Sequence, residues 1–256
     1  MDKKIPKISI IVPSLNQSNF ITKTINSILE QNYPNLEIIV MDGGSTDDTI
    51  SILENFGSKI KWISEKDRGQ SHAINKGIDI SSGEILGFIN SDDYILPGAL
   101  NLIAETFKDE HVYWVTGDYK IVDSNGIQIQ STISFYKRVL RMISSKKLLL
   151  ITNYIIQPST FWRKSLNQKI GGFDESLRYV MDYDFWIKAF NIATPKIIRK
   201  PLSAFRIHKL SKGGSQYKKQ FEEELMVCKK YSRNWLLIIF HSIHNQLILF
   251  VYKIIK

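Results

Sequence analysis

Apolar runs of strand length alternate with stretches of helical period through the first half of this chain, and that alternation restricts the architecture more than any other feature. "KISIIVPSL" reads as a buried strand, and "NFITKTINSILEQN" behind it sets Phe20, Ile21, Ile25, Ile28 and Leu29 on one helix face. The cycle repeats: "LEIIVMDGG" then "TDDTISILENF", with Thr or Asp available as a cap, and "IKWISE" then "GQSHAINKGIDIS". "EILGFINSDD" precedes "PGALNLIAETF", a helix opened by proline, and "VYWVTGDYKIV" is a further strand. Such alternation calls for an α/β fold whose mainly parallel central sheet is covered on both faces. Ligands in that architecture lie beyond the carboxyl ends of the strands. The polar clusters "PSLNQS", "DGGSTDD", "SEKDRGQS" and "NSDD" all follow strands, so four loops are expected to share one crevice.

Beyond about residue 127 the alternation blurs through "STISFYKRVLRMISSKKLLLITNYIIQPSTFWRK", which reads as a less regular, substrate-facing part of the same domain. "GGFDESLRYVMDYDFWIKAFN" restores a helix over its second half, and "KIIRKPLSAFRIH" gives one or two strands. No internal repeat or low-complexity linker divides the chain. The organisation predicted is a single domain over residues 1–215 and a basic, amphipathic helical appendage over residues 216–256.

At 256 residues and 43% hydrophobic, the chain can bury a substantial core. Its one cysteine, Cys228, excludes an internal disulfide, fits a reducing cytoplasm, and reads as a small buried hydrophobe. "MDKKIPKISIIVPS" has a basic start but no cleavage site, and reads as a first strand. Of the net charge of +9, residues 196–256 carry +10, leaving the rest near neutral. A basic end can face nucleic acid, anionic lipid or solvent; without zinc-finger spacing or an aromatic-basic signature, no nucleic-acid partner is expected.

The crevice chemistry narrows by exclusion. The first strand-to-helix turn has no glycine for a dinucleotide pyrophosphate to approach, and no "GxxxxGK[ST]" occurs. Carboxylates, hydroxyls and amides remain, a set suited to a nucleotide base and ribose with a cation over the phosphates. The adjacent Asp92 and Asp93 need a divalent cation, an arginine or water to offset their repulsion.

In sequence order, "IVPSLNQSNFITKTINSILEQNYPNLEIIVMDGGSTDDT", "EKDRGQSHAINKG", "GEILGFINSDD", "QPSTFW", "GGFDESLRYVMDYDFWIKA" and "FRIHKLSK" resemble the family 2 inverting glycosyltransferases. The resemblance spans residues 7 to 215 or so. It implies the GT-A fold, a Rossmann-like sheet, and transfer of a sugar from a nucleotide donor with Mn2+ or Mg2+.

By that resemblance Pro13, Ser14 and Asn16 border the base pocket, Asp42 accepts a hydrogen bond from the base N3 position, and Asp67 with Arg68 closes over uracil or ribose. A carboxylate facing an imide N–H selects a uracil or thymine edge; the bland reading of Asp42 is a strand-end turn with Gly43. Asp47 and Asp48 read as partners of a helix dipole rather than ligands. The family's Asp-x-Asp motif aligns as Asn90, Ser91, Asp92, which assigns Asp92 to the metal, with Ser91 and Asp93 holding the donor or the site. His208 is the expected second metal ligand, and Arg206, Lys209 and Lys212 are candidate phosphate neighbours. Because Asn90 carries no charge, cation binding should tighten only when diphosphate is present.

An inverting displacement needs one base beside the acceptor hydroxyl. "MDYDFW" offers Asp182 and Asp184, which cannot share a helix face, and the family's Glu-Asp motif picks Asp182, with Met181 where Glu is common. Gln157, Pro158, Ser159 and Thr160 are expected to line the acceptor side. Trp162, Phe185 and Trp186 read as core or cleft-wall aromatics, one of which could stack on a sugar.

"WLLIIFHSIHNQLILFVYKIIK" places Leu236, Phe240, Ile243, Leu247, Phe250 and Ile254 on one stripe, interrupted by His241, Ser242, His244, Asn245 and Gln246. That argues against a full span and for an interfacial helix on an anionic membrane, with packing on the domain or on a second copy as the alternatives. The expectation is therefore a cytoplasmic enzyme, peripheral at the inner face of the plasma membrane, using a UDP-sugar or dTDP-sugar and a glycan or lipid-linked acceptor of surface polysaccharide. Two other readings stay open: a nucleotide-sugar or glycan-binding protein that has lost catalysis, supported by Asn90 and Met181, and a glycosidase, disfavoured by the nucleotide loops.

Overall fold

The computed structural model describes residues 5–208 and 217–255, with residues 217 and 251–255 as backbone only. Four strands open the chain: β1 (Ile8–Ser14), β2 (Leu36–Asp42), β3 (Lys61–Ser64) and β4 (Ile85–Phe88). They lie side by side in the order β3-β2-β1-β4, all parallel. Helices α1 (Ile21–Leu29), α2 (Thr49–Asn55) and α3 (Gln70–Ile80) make the crossovers. The first 89 residues thus follow the predicted alternation.

The sheet then becomes mixed. After β5 (Tyr94–Ile95) and α4 (Ala99–Thr106) come β6 (Trp114–Val122), β7 (Gln128–Ile129), β8 (Thr160–Arg163) and β9 (Lys196–Arg206). β8 inserts antiparallel between β4 and β6, β9 runs parallel to β6, and β5 pairs antiparallel with β9. Pro97 lies ahead of α4 rather than inside its first turn, and the left-handed position before the helix belongs to Gly98 at φ 78°.

The stretch expected to be irregular contains a regular 13-residue helix, α5 (Ser131–Ile143), followed by α6 (Lys146–Ile151). Ser145 caps α6 by accepting the Leu148 N–H at 3.2 Å. α7 (Lys164–Ile170) and α8 (Met181–Phe190) precede β9, and α9 (Tyr217–Tyr231) and α10 (Trp235–Ile255) close the described chain.

β1 is buried on both faces. Ile8, Ile10 and Val12 face α1 and α4, while Ile11 joins Ile39 and Met41 against α3 and α8. Each such fully buried aliphatic side chain contributes about 1.5–3 kcal/mol. Trp114, Trp162, Trp186 and Phe185 are all fully buried, with Trp114 stacked on Trp186 at 5.7 Å. None of the three aromatics considered for sugar stacking reaches a surface; they are core.

The C-terminal segment, expected as an appendage, is built into this core. Val227 and Cys228 of α9 are fully buried, and burial pushes the Cys228 thiol up to about 11, as an inert hydrophobe would show. Asp184, fully buried on α8, takes Lys230 Nζ at 3.0 Å, the Tyr231 hydroxyl at 2.8 Å and Lys188 Nζ at 2.7 Å. The second carboxylate of "MDYDFW" therefore fastens α9 to α8.

Candidate active site

The loops after β1 to β4 converge as the strand order requires. Asn16 Oδ1 accepts the Thr46 N–H at 2.8 Å, and the Asn16 N–H donates to Ser45 Oγ at 2.7 Å, locking the first loop to the second. Asp47 binds the N–H groups of Ser18 and Thr49. Partial burial would raise its carboxyl, but the Thr49 and Ser18 hydrogen bonds prevail and hold it at about 2, so it closes the start of α2.

Asp42 is 2% exposed and organises its own turn. Its Oδ2 accepts the Gly44 and Ser45 N–H groups at 3.0 and 2.8 Å and the Ser64 hydroxyl at 2.8 Å, and Ser45 Oγ donates to Oδ1. An ionised carboxylate offers about four acceptor sites, divided between its two oxygens, so Oδ1 keeps spare capacity. Beside it, a Cβ on Gly43 would fall 2.7 Å from Asp67 Oδ2, so only glycine lets the Asp67 carboxylate rest there. Arg68 donates through Nε and Nη2 to Glu175 Oε2, at 3.0 and 2.7 Å. Pro13 and Ser14 end β1 as buried residues, and Ser14 Oγ has no hydrogen-bond partner among the described residues.

Past β4 the two adjacent aspartates part. Asp93 is fully buried: its Oδ1 accepts the Arg206 N–H at 2.8 Å and its Oδ2 the Asn90 amide at 3.2 Å. Burial first, and the Asp92 charge second, push its carboxyl well above the usual range. The carbonyls of Ser91 and Asp93 both lie within 2.8 Å of the Thr24 hydroxyl, which ties this loop to α1. Asp92 turns outward, its Oδ2 3.0 Å from His208 Nε2. β9 delivers that histidine, its course adjusted by register shifts where Pro201 has no N–H for the ladder. Arg206 is 2% exposed between the rings of Phe20 and Tyr94, and its Nε and Nη2 have no hydrogen-bond partner among the described residues. Lys209 and Lys212 lie outside the described residues.

Asn90 accounts for its own departure from an acidic motif. Its Oδ1 accepts from Gln70 at 2.6 Å, and its amide donates to Asp93 and to Gln157 Oε1, each at 3.2 Å. A carboxylate could donate to neither and would set a second charge against buried Asp93.

Gln70, Asn90 and Gln157 also border a cavity of about 540 Å³, within the usual range for a ligand pocket. Pro158 lines it as expected, but Ser159 and Thr160 do not; they are buried behind it against Asp118 and Thr116. Asp182, in the first turn of α8, faces the cavity. Burial raises its carboxyl to about 6, against the lowering effects of the Tyr183 N–H and the Lys137 charge.

The remaining cavity residues include several that sequence reasoning missed. Lys137 comes from α5, Glu224 from α9, and His244, Asn245 and Ile248 from α10. Burial raises Glu224 to about 7 and lowers Lys137, each working against the attraction of the other. Glu223, next along α9, accepts the N–H groups of Arg178, Tyr179 and Val180 at 2.9, 2.6 and 3.0 Å, which caps the approach to α8. A carboxylate thus supports the Asp182 turn even though Met181 replaces the acidic neighbour. The triple "EEE" at 222–224 was the available signal, but a helix so rich in charge reads as a solvated face.

A crevice of strand-end carboxylates opening onto a cavity with an elevated aspartate is consistent with the motifs, and the sequence profile of "Glycosyl transferase family 2" matches residues 9–171. The chain belongs to glycosyl transferase family 2. An uncharacterised glycosyltransferase of Rickettsia prowazekii is 34% identical over 211 residues, covering 79% of this chain and 64% of the relative's length. Two solved structures show the shared, GT-A-like fold. S. aureus TarS 1–349, crystallised with UDP-GlcNAc, superposes with a TM-score of 0.66 at 24% identity, over 86% of this chain and 65% of TarS 1–349. The mannosyltransferase PcManGT of Pyrobaculum calidifontis, in complex with GDP-Man and Mn2+, gives 0.70 at 20% identity, over 90% of this chain and 66% of that one. The family 2 profile covers the loops after β1 to β4 and ends before Asp182, Arg206, His208 and the cavity residues of α9 and α10.

Proposed function

We propose that this family 2 protein is an inverting glycosyltransferase that moves a hexosyl or N-acetylhexosaminyl group from a UDP-sugar or dTDP-sugar to a hydroxyl of a glycan or lipid-linked acceptor, in the building of bacterial surface polysaccharide at the cytoplasmic face of the membrane. The observation that carries the reading is Asp182: a carboxyl raised to about 6 in a cavity whose border, at Gln70 and Asn90, is shared with the strand-end loops.

The chain's own residues divide the work. Asp42 selects a base with an imide N–H, Pro13, Ser14 and Asn16 shape the base pocket, and Asp67 with Arg68 closes over uracil or ribose. Asp182 takes the acceptor proton as its oxygen attacks the anomeric carbon, in a single displacement with the two reactants held in line. Buried Arg206, with two nitrogens that have no hydrogen-bond partner among the described residues, offers charge to the departing diphosphate.

Asp92 Oδ2 and His208 Nε2 point at one another across 3.0 Å, an oxygen and an imidazole nitrogen that fit one divalent cation. Among the described residues no cluster of three or more His, Cys, Asp or Glu side chains could hold a metal. The pair would therefore hold Mn2+ or Mg2+ only in company with diphosphate oxygens and water. Such a cation supplies Lewis-acid stabilisation of the leaving group. A nucleotide-sugar or glycan-binding protein without catalysis is the alternative reading; Asn90 and Met181, its support in the sequence, stand in a loop-joining network and beside a turn that Glu223 caps.

The test is a pair of variants with Mn2+ and a panel of nucleotide sugars. Asp182→Asn should keep donor binding and lose transfer, and Asp92→Ala should lose metal-dependent donor binding. Normal turnover by either variant refutes its assignment.

A further inference from the structure

Helix α10 is oriented with its polar side inward. His241, fully buried, donates from Nδ1 to the Leu150 carbonyl at 2.9 Å and accepts at Nε2 from the Asn245 amide at 3.0 Å, which fixes a neutral tautomer. His244 meets the Tyr136 hydroxyl of α5 at 3.0 Å. Two of the polar residues that seemed to interrupt an apolar stripe, His241 and His244, thus bind the domain beside Leu237 and Ile238, while Gln246 stays exposed. The stripe itself, Leu236, Phe240, Ile243, Leu247 and Phe250, is left 45% to 63% exposed.

α5 repeats the inversion. Arg141 is 1% exposed and bonded to Asp118, and Lys137 lines the cavity, while Phe135, Val139, Met142 and Ile143 on its outer side are 41% to 65% exposed. The ring of Tyr136 lies parallel to that of His244 at 6.2 Å, so the two helices are neighbours. Nine large apolar side chains on adjacent helices exceed the scattered exposure normal for a soluble surface.

We infer that the outer faces of α5 and α10 together form a docking surface for an anionic lipid bilayer, placed so that the inner faces of the same helices wall the acceptor cavity. The lipid occupant follows from charge. Residues 131–151 and 225–256 contain no Asp or Glu, and Lys147, Lys229 and Arg233 among them are exposed. A second copy docking the same patch on itself would bring like charge against like, whereas anionic headgroups complement it. Among the described residues no helix is long and apolar enough to cross a membrane, which leaves α10 lying in the interface plane. The inference rests on the glycosyltransferase reading in naming the acceptor: one carried on lipid would enter the cavity from the surface on which the enzyme sits.

The test is flotation of the full chain with phosphatidylcholine vesicles, with and without phosphatidylglycerol, at low and high salt. The wild type should float with the anionic vesicles and lose binding in salt. Phe240→Glu with Leu247→Glu on α10, and separately Ile143→Glu on α5, should each weaken partitioning by about tenfold or more, with UDP-induced thermal stabilisation retained as evidence of an intact fold. Variants that float like the wild type overturn the inference. So does a wild type that ignores vesicles, or one that sediments as a dimer which the same substitutions split. Flotation involves no sugar transfer: docking without transfer removes only the enzymatic reading, and transfer without docking removes only this surface.

Discussion

The acid limb of the transfer reaction should belong to Asp182, and its position can be worked from the structure. With the carboxyl raised to about 6, the base is about nine-tenths ionised at pH 7 and about one-tenth at pH 5, so kcat/KM for the acceptor should fall about tenfold between them. A tenfold change is about 1.4 kcal/mol in the barrier. At the ordinary value of 3.8 the same group would lose only about a twentieth of its activity over that range. The assay is initial rate against acceptor concentration at saturating donor and Mn2+, with donor binding measured calorimetrically at both pH values so that donor affinity is held apart. Lys137→Met supplies the internal control. The Lys137 charge lowers the Asp182 carboxyl, so its removal should move the limb to higher pH, depressing activity at pH 6 while leaving pH 8 almost unchanged. A flat profile from pH 5 to 7, or a limb that Lys137→Met shifts downward, refutes Asp182 as the base.

Three further outcomes follow from named contacts. Glu223→Gln keeps the shape but loses the charge that faces three backbone N–H groups, and should cost about 1–2 kcal/mol in a urea titration together with a fall in transfer; an unchanged midpoint would show the cap to be idle. Asn90→Asp, which restores an acidic motif, should destabilise by about 2 kcal/mol rather than improve turnover, because both hydrogen bonds donated by Asn90 vanish beside buried Asp93; higher activity at equal stability would contradict this. Ending the chain before residue 217 removes Lys230 and Tyr231 from fully buried Asp184 and uncovers the core around Val227 and Cys228, so the truncated protein should lose several degrees or more in thermal unfolding rather than merely lose an anchor.

The crevice proposed for the donor was legible in sequence for a physical reason: its loops follow strands of the parallel array, so motif order along the chain becomes proximity in space. Asp92 and His208, more than a hundred residues apart, meet because β5 pairs with β9, a contact that only the motif resemblance could suggest. The cavity proposed for the acceptor was not legible in the same way. Periodicity located the stripe of α10 correctly but carries no sign, so it cannot say whether apolar residues face the core or the outside. The same ambiguity hid α5, whose Lys137 and Arg141 turn inward beside Ile133 and Leu140 while Phe135, Val139, Met142 and Ile143 are exposed together with Arg138. Gln157 and Pro158 reached the cavity while Ser159 and Thr160 did not, because the chain passes there from a tight turn into β8.

The dependence of Asp182 on the C-terminal helices has a consequence for how such a site can vary. α8 is held at its start by Glu223 and along its length by Lys230 and Tyr231 on Asp184, all supplied by α9. The family profile stops at residue 171, yet Asp182, Glu223 and the cavity-lining Glu224, His244, Asn245 and Ile248 all lie beyond it. A change in α9 or α10 should therefore alter the surroundings of Asp182 with little effect on Asp42, whose carboxylate is held by Gly44, Ser45 and Ser64. On the proposed assignment donor and acceptor selection would be separable, and Asn90, bonded to Gln70, Asp93 and Gln157 at once, is one side chain that would couple the two halves.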